Sequence, residues 1–73
     1  MKVTYKKLWK LLIDKNLKKV DLLELAPIST STLAKLGKDE YVSMDALVKI
    51  SIALNVDIGD IISLKNNTAE GEN

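Results

Sequence analysis

The densest run of chemically capable side chains in this sequence is Ser29-Thr30-Ser31-Thr32, with Lys35 one helical turn beyond Ser31 and Lys18, Lys19 and Lys38 to either side. Hydroxyls donate and accept hydrogen bonds, and a lysine ammonium offers a compact positive charge with three donors. The chain has no cysteine and no histidine. Disulfides, thiolate or imidazole metal ligation, thiol nucleophiles and histidine-based triads are therefore excluded. The carboxylates Asp14, Asp21 and Glu24 lie in a lysine-rich stretch, no helix pairs them across an apolar pocket, and no glycine-rich phosphate loop exists. The sequence is thus expected to be no enzyme, with no catalytic residue, metal, cofactor or small-molecule substrate. What remains to these residues is non-covalent recognition.

Charge along the chain indicates of what. The net charge is only +1, but Met1 to Lys38 holds nine lysines against three acids, whereas Asp39 to Asn73 holds two against seven. One face of the protein is expected to suit a polyanion and another not. No apolar run approaches the roughly 18 residues of a membrane span, and no signal peptide is evident, so a cytoplasmic location and no membrane contact are expected.

These side chains must be held by helices. At 73 residues and 47% hydrophobic, rich in Leu, Ile, Val and Ala and nearly free of Pro and Gly, the chain reads as one all-α domain with a single modest core. The first helix covers Tyr5 to Lys15, with Thr4 as N-cap and Asn16 as a left-handed stop. A second, of about two turns, covers Lys19 to Ala26 and ends at Pro27. Ser29 caps the third, which ends at Gly37. After the loop Lys38–Tyr41, in which Tyr41 is the expected anchor, Ser43 starts a fourth helix with Met44, Leu47, Val48, Ile50, Ser51 and Leu54 on and beside its core face, closed by Asn55. Asp57 and Asp60, spaced as in a capping box, open a short fifth helix reaching Leu64. The domain is expected to span 1–64, followed by a disordered tail, 65–73, that has almost nothing to bury.

Two short helices joined by a tight turn share a few buried residues, here Leu22, Ala26, Ile28, Leu33 and Leu36. That leaves Thr30, Ser31, Ala34 and Lys35 on the outer face of the third helix, a surface suited to the major groove of DNA. At this point the chain resembles the lambda-repressor-like, Cro/CI-type (XRE) helix-turn-helix family over roughly Tyr5 to Leu64. The resemblance is carried by Leu17, Leu22, Ile28-Ser29, Ser31-Thr32-Leu33, the run Asp45 to Val56, and Asp57-Ile58-Gly59-Asp60-Ile61-Ile62. It implies a compact five-helix bundle that binds double-stranded DNA and regulates transcription, as a repressor and often as a homodimer.

The DNA-binding set expected on this basis is Lys18, Lys19, Ser29, Thr30, Ser31, Ala34, Lys35 and Lys38, and the dimer interface Ile58, Ile61, Ile62 and Leu64. Three departures from the family pattern stand out. Pro27 occupies the turn position usually held by glycine and cannot adopt positive φ; Lys19 replaces the usual glutamine and favours a phosphate contact; and there is no arginine to grip guanine bidentately. Together with the near-neutral charge, they keep open an antitoxin-like or co-regulatory module that uses this fold to bind another protein. Trp9 and Ile13 widen the apolar face of the first helix beyond the needs of a small bundle, so one edge there is available to a partner.

Overall fold

The computed structural model describes residues 2–65. In chain order its elements are strand β1 (Lys2–Thr4), helices α1 (Lys6–Asp14), α2 (Leu22–Leu25), α3 (Thr30–Gly37) and α4 (Met44–Leu54), and strand β2 (Ser63–Lys65). Single 3₁₀ turns at Lys19–Asp21 and Ile58–Asp60 lead into α2 and follow α4. Leu8 and Leu12 of α1, Leu22 and Ala26 around α2, Leu36 of α3, Leu47, Ile50 and Leu54 of α4, and Val3, Tyr5 and Ile61 from the two ends form one buried cluster.

Helix ends are built by short polar side chains. Ser29 accepts the Thr32 N–H and Ser43 the Ala46 N–H, each at 3.1 Å, so each satisfies a donor the first helical turn would leave unpaired. Three helices stop in the same way, on a residue in the left-handed region: Asn16 (φ 60°), Asp39 (φ 56°) and Asn55 (φ 59°). After each, the next N–H reaches back over the last turn, Leu17 to Leu12 O at 2.8 Å, Glu40 to Lys35 O at 2.9 Å and Val56 to Ser51 O at 3.0 Å. This is the Schellman closure, and Asn and Asp are the non-glycine residues that tolerate it best. Gly37, expected as the stop of the third helix, is its last helical residue, and the left-handed position falls two residues later on Asp39.

Both chain ends depart from the expected all-α, five-helix bundle. The Asp60 carboxylate accepts the Asp57 N–H at 3.0 Å and starts a turn as its spacing suggests, but that turn lasts only to Asp60. Ile61 still turns (φ −119°, ψ −15°), its N–H and that of Ile62 both bonding back to Ile58 O, and from Ser63 the chain runs on as β2, antiparallel to β1 with Lys2 opposite Lys65, Val3 opposite Leu64 and Thr4 opposite Ser63. Among the described residues the architecture is therefore four α-helices with a two-stranded sheet that pairs Lys2–Thr4 with Ser63–Lys65. Thr4 lies in β1 and is not the cap of α1, although its hydroxyl accepts the Lys6 N–H at 3.4 Å. Lys65, expected in the tail, is the last residue of β2; the remainder of that stretch, 66–73, lies outside the described residues.

The loop after α3 is tied to β1 by Tyr5 rather than by Tyr41, which is 72% exposed. Buried Tyr5 donates its hydroxyl to Glu40 O at 2.7 Å, while its N–H donates to Asp39 Oδ1 at 3.1 Å. The other Asp39 oxygen pairs with Lys65 at 3.3 Å. One carboxylate thus links the end of α3 to β2 and to the residue between β1 and α1.

Candidate nucleic-acid interface

The turn before α3 shows how proline is accommodated where positive φ is usual. Ala26 leaves α2 with extended backbone, φ −125° and ψ 141°, the conformation that a residue before proline prefers. The Ile28 N–H then bonds back to Ala26 O at 2.8 Å, a three-residue turn centred on Pro27. An inverse γ-turn of this kind needs a central φ near −75°, which the pyrrolidine ring supplies. No glycine in the described chain has positive φ. The chain reverses by a different turn and still delivers Ser29 to the start of α3.

From there the helix is oriented by its own burial. Leu36 is fully buried, Leu33 and Thr32 are half-buried, and Thr30, Ser31, Ala34 and Lys35 are exposed, as the spacing predicts. The four hydroxyls divide into two pairs. Ser29 Oγ and Thr32 Oγ1 lie 3.1 Å apart and share a hydrogen bond, with Ser29 also capping the helix, so their capacity is spent largely within the protein. Thr30 and Ser31 are left with theirs facing outward.

The flanking cations are equally accessible. Lys18, Lys19, Lys35 and Lys38 are all exposed, and among the described residues none of the four forms a salt bridge. Asp21, the nearest acid to the first pair in sequence, directs its carboxylate to the Lys18 backbone N–H at 2.7 Å. Lys19 is held differently: its ammonium sits over the Trp9 ring, 4.5 Å from the centroid. A cation–π contact of this kind fixes a long side chain without neutralising it. Trp9 also lines, with Leu12, Ile13, Leu17 and the two lysines, an open groove of about 210 Å³.

All eight residues expected to touch DNA are therefore on the surface. The expected dimer set is not. Ile61 is 0% exposed and belongs to the core, which removes it from any interface, while Ile58 and Ile62 are half-buried and only Leu64, at 67%, stands free. Conversely Met44 and Val48, read as core from the sequence, point outward together with Ile52. The signal that finds them is their four-residue spacing, offset from the buried set Ala46, Leu47, Ile50 and Leu54. No helix among the described residues is long and apolar enough to cross a membrane.

A short helix packed on another across a tight turn, with a polar and basic outer face, defines a helix-turn-helix domain. Residues 7–67 match the Cro/C1-type HTH DNA-binding domain, and the chain belongs to that family. Among solved structures it is similar to the crystal structure of the transcriptional regulator VanUg, with 52% identity over 90% of this chain and 88% of that one and a TM-score of 0.86. A search of curated proteins finds no match.

Proposed function

We propose that this protein is a sequence-specific transcriptional repressor that binds as a homodimer, each copy placing α3 in the major groove of its operator. The observation that carries the reading is the outer face of α3: Thr30, Ser31, Ala34 and Lys35 are exposed on a helix whose other side is anchored by fully buried Leu36. The similarity to a transcriptional regulator at 52% identity supports the regulatory role.

In this reading Lys18, Lys19 and Lys38 contact phosphates and set the register, with Ser29 adding the N-terminal end of α3 to the backbone contact. Thr30 and Ser31 bond base edges or phosphates, Ala34 meets a thymine methyl, and Lys35 reaches guanine or a phosphate. Without arginine each base contact is weak, so one domain of net charge +1 has little to distinguish its site from bulk DNA. Two copies on a palindrome correct this. Their half-sites are then about 10–10.5 base pairs apart, centre to centre, so that both α3 helices meet the same side of the duplex. Repression follows from occupancy of promoter DNA alone.

Selection of bound sequences from random duplexes is the test, combined with binding of the selected site at several salt concentrations. The expected result is a palindromic consensus with that spacing and a steep salt dependence, each phosphate-contacting lysine adding about 0.9 to the slope of log affinity against log salt. Recovery of no consensus, with a salt slope near zero, defeats the proposal.

A further inference from the structure

Neither the core nor the outer face of α3 uses the apolar edge of α1. Ile13, one turn after Trp9, is 73% exposed, and Val20, next to Lys19, is 60% exposed. Trp9, Leu12, Ile13 and Leu17 wall the open groove of about 210 Å³, and Lys18 and Lys19 complete its lining as exposed cations. Pockets that enclose a whole small-molecule ligand are commonly about 300–1,000 Å³. This groove is smaller and open, so it suits one or two side chains of a larger partner.

Its charge is one-sided. Among the described residues neither lysine forms a salt bridge, and Asp21 spends its carboxylate on the Lys18 backbone N–H. The Lys19 ammonium is held 4.5 Å from the Trp9 centroid and keeps its charge at the apolar wall.

We infer that the groove is a docking site for an acidic amphipathic segment of another protein, which seats a large apolar side chain between Trp9, Ile13 and Leu17 and sets carboxylates against Lys18 and Lys19. Other occupants fit less well. A second copy related by a two-fold axis through the groove would bring the same two lysines face to face. Residues 66–73 of this chain carry two glutamates but no apolar side chain larger than that of Ala69. Duplex DNA offers phosphates to the lysines, yet its charged backbone gives Ile13 no apolar surface to bury against. Because Lys18 and Lys19 are also the phosphate contacts proposed above, the docked segment and the operator compete. That competition rests on the DNA-binding reading, whereas the groove itself does not.

Trp9 is the only tryptophan in the chain, so its fluorescence reports on the groove. The probe is a synthetic helix-forming peptide with leucines one turn apart and glutamates flanking them, titrated into the full chain at low salt, with protein amide shifts locating the contact. The expected result is a saturable change in Trp9 emission and shifts confined to the stretch from Trp9 to Val20. Affinity should fall by about tenfold or more when the peptide's glutamates become glutamines, or when Lys18→Gln and Lys19→Gln are combined in the protein. Ile13→Ser should weaken the peptide by about tenfold through lost burial, with unchanged helical circular dichroism and unchanged operator affinity. Lys35→Ala should leave peptide binding unchanged, and operator duplex should displace the peptide. No saturation up to roughly millimolar peptide, or shifts that fall on the outer residues of α4 instead, overturns the docking site. Equal binding of the glutamine peptide overturns the acidic partner. A peptide that stays bound alongside the operator overturns the competition alone. A chain that binds the peptide in the groove and no DNA supports the docking site and defeats the function proposed above.

Discussion

Lys35 and Leu36 are adjacent in sequence and opposite in duty, so one pair of variants tests how α3 is turned. Leu36 is fully buried in the cluster that also holds Leu22, Ala26, Leu47 and Ile50. Leu36→Ala removes three carbons, a transfer loss of roughly 2.4 kcal/mol at about 0.8 kcal/mol each. To this is added the cavity left behind, which brings such truncations to about 2–5 kcal/mol. The upper half of that range is expected here, because α3 is fixed at its start by Ser29 and at its end by Asp39 and has little freedom to collapse into the space. At roughly 0.05–0.15 kcal/mol per residue, the whole domain has only about 4–11 kcal/mol to lose. With about 4–8 °C per kcal/mol for a domain of this size, melting followed by circular dichroism should fall by about 14 °C at least. Lys35→Ala should melt within a few degrees of wild type, as an exposed substitution does, and instead lose about 1–3 kcal/mol of operator binding by fluorescence anisotropy if Lys35 reads a base. If it contacts a phosphate, the salt slope drops by about 0.9 per copy. A Leu36→Ala protein melting within about 4 °C of wild type, or a Lys35→Ala protein matching its thermal loss, would refute the orientation.

Ser29→Ala should cost about 0.5–2 kcal/mol in urea denaturation by removing the acceptor of the Thr32 N–H; no loss of stability would mean the cap does not hold in solution. Pro27→Ala should cost about 0.4–1 kcal/mol through the greater freedom of the unfolded chain, with operator affinity unchanged, whereas a gain in stability would reveal strain in the Ala26–Ile28 turn. Tyr5 supplies a pH dependence. Burial raises its pKa above the usual 10.0, so its stabilisation is fully present below pH 10 and is lost as pH rises from there through the folded value. Ionisation also removes the proton donated to Glu40 O. Tyr5→Phe should therefore be less stable than wild type by about 0.5–1.5 kcal/mol at pH 8, with the gap closing above pH 10; a gap constant to pH 11 would contradict the assignment.

What could be read from the residues alone follows the range of the interactions. Ser29, Ser43, Asn16 and Asn55 act on backbone within a few positions, and each lies at the helix end expected of it. The stop of α3 was obscured because Gly37 is the stronger local signal, yet the choice of Asp39 is made by distant groups, the Tyr5 N–H and the Lys65 ammonium that its carboxylate binds. Pairing of β1 with β2 is less local still. Two three-residue segments carry no periodicity of their own, and only their meeting pairs their backbones. A run of Ile58, Ile61, Ile62 and Leu64 likewise looks like a surplus apolar edge until the turn that Asp57 and Asp60 build sets Ile61 into the core.

Periodicity also overstates the core of α4. Met44, Val48 and Ile52 recur every four residues, as core positions do, and only the placement of Leu47, Ile50 and Leu54 decides which stripe faces in. At the nucleic-acid face the same logic narrows the chemistry. Four consecutive hydroxyls look equivalent in sequence, but the helix brings the first and fourth together and spends them on each other, so Thr30 and Ser31 are the pair with bonding capacity to offer a partner. Lysine placement is subject to a comparable constraint, for the Trp9 ring beneath Lys19 holds the cation without discharging it. Moving that ammonium onto a phosphate would forgo the ring, and Trp9→Leu should consequently shift the balance by no more than the roughly 0.5–1 kcal/mol that an exposed cation–π contact is worth. Measured as operator affinity of a dimer, which carries two such contacts, the change should be less than about thirtyfold in either direction. A larger loss would show that Trp9 itself, and not only the lysine above it, lies against the DNA.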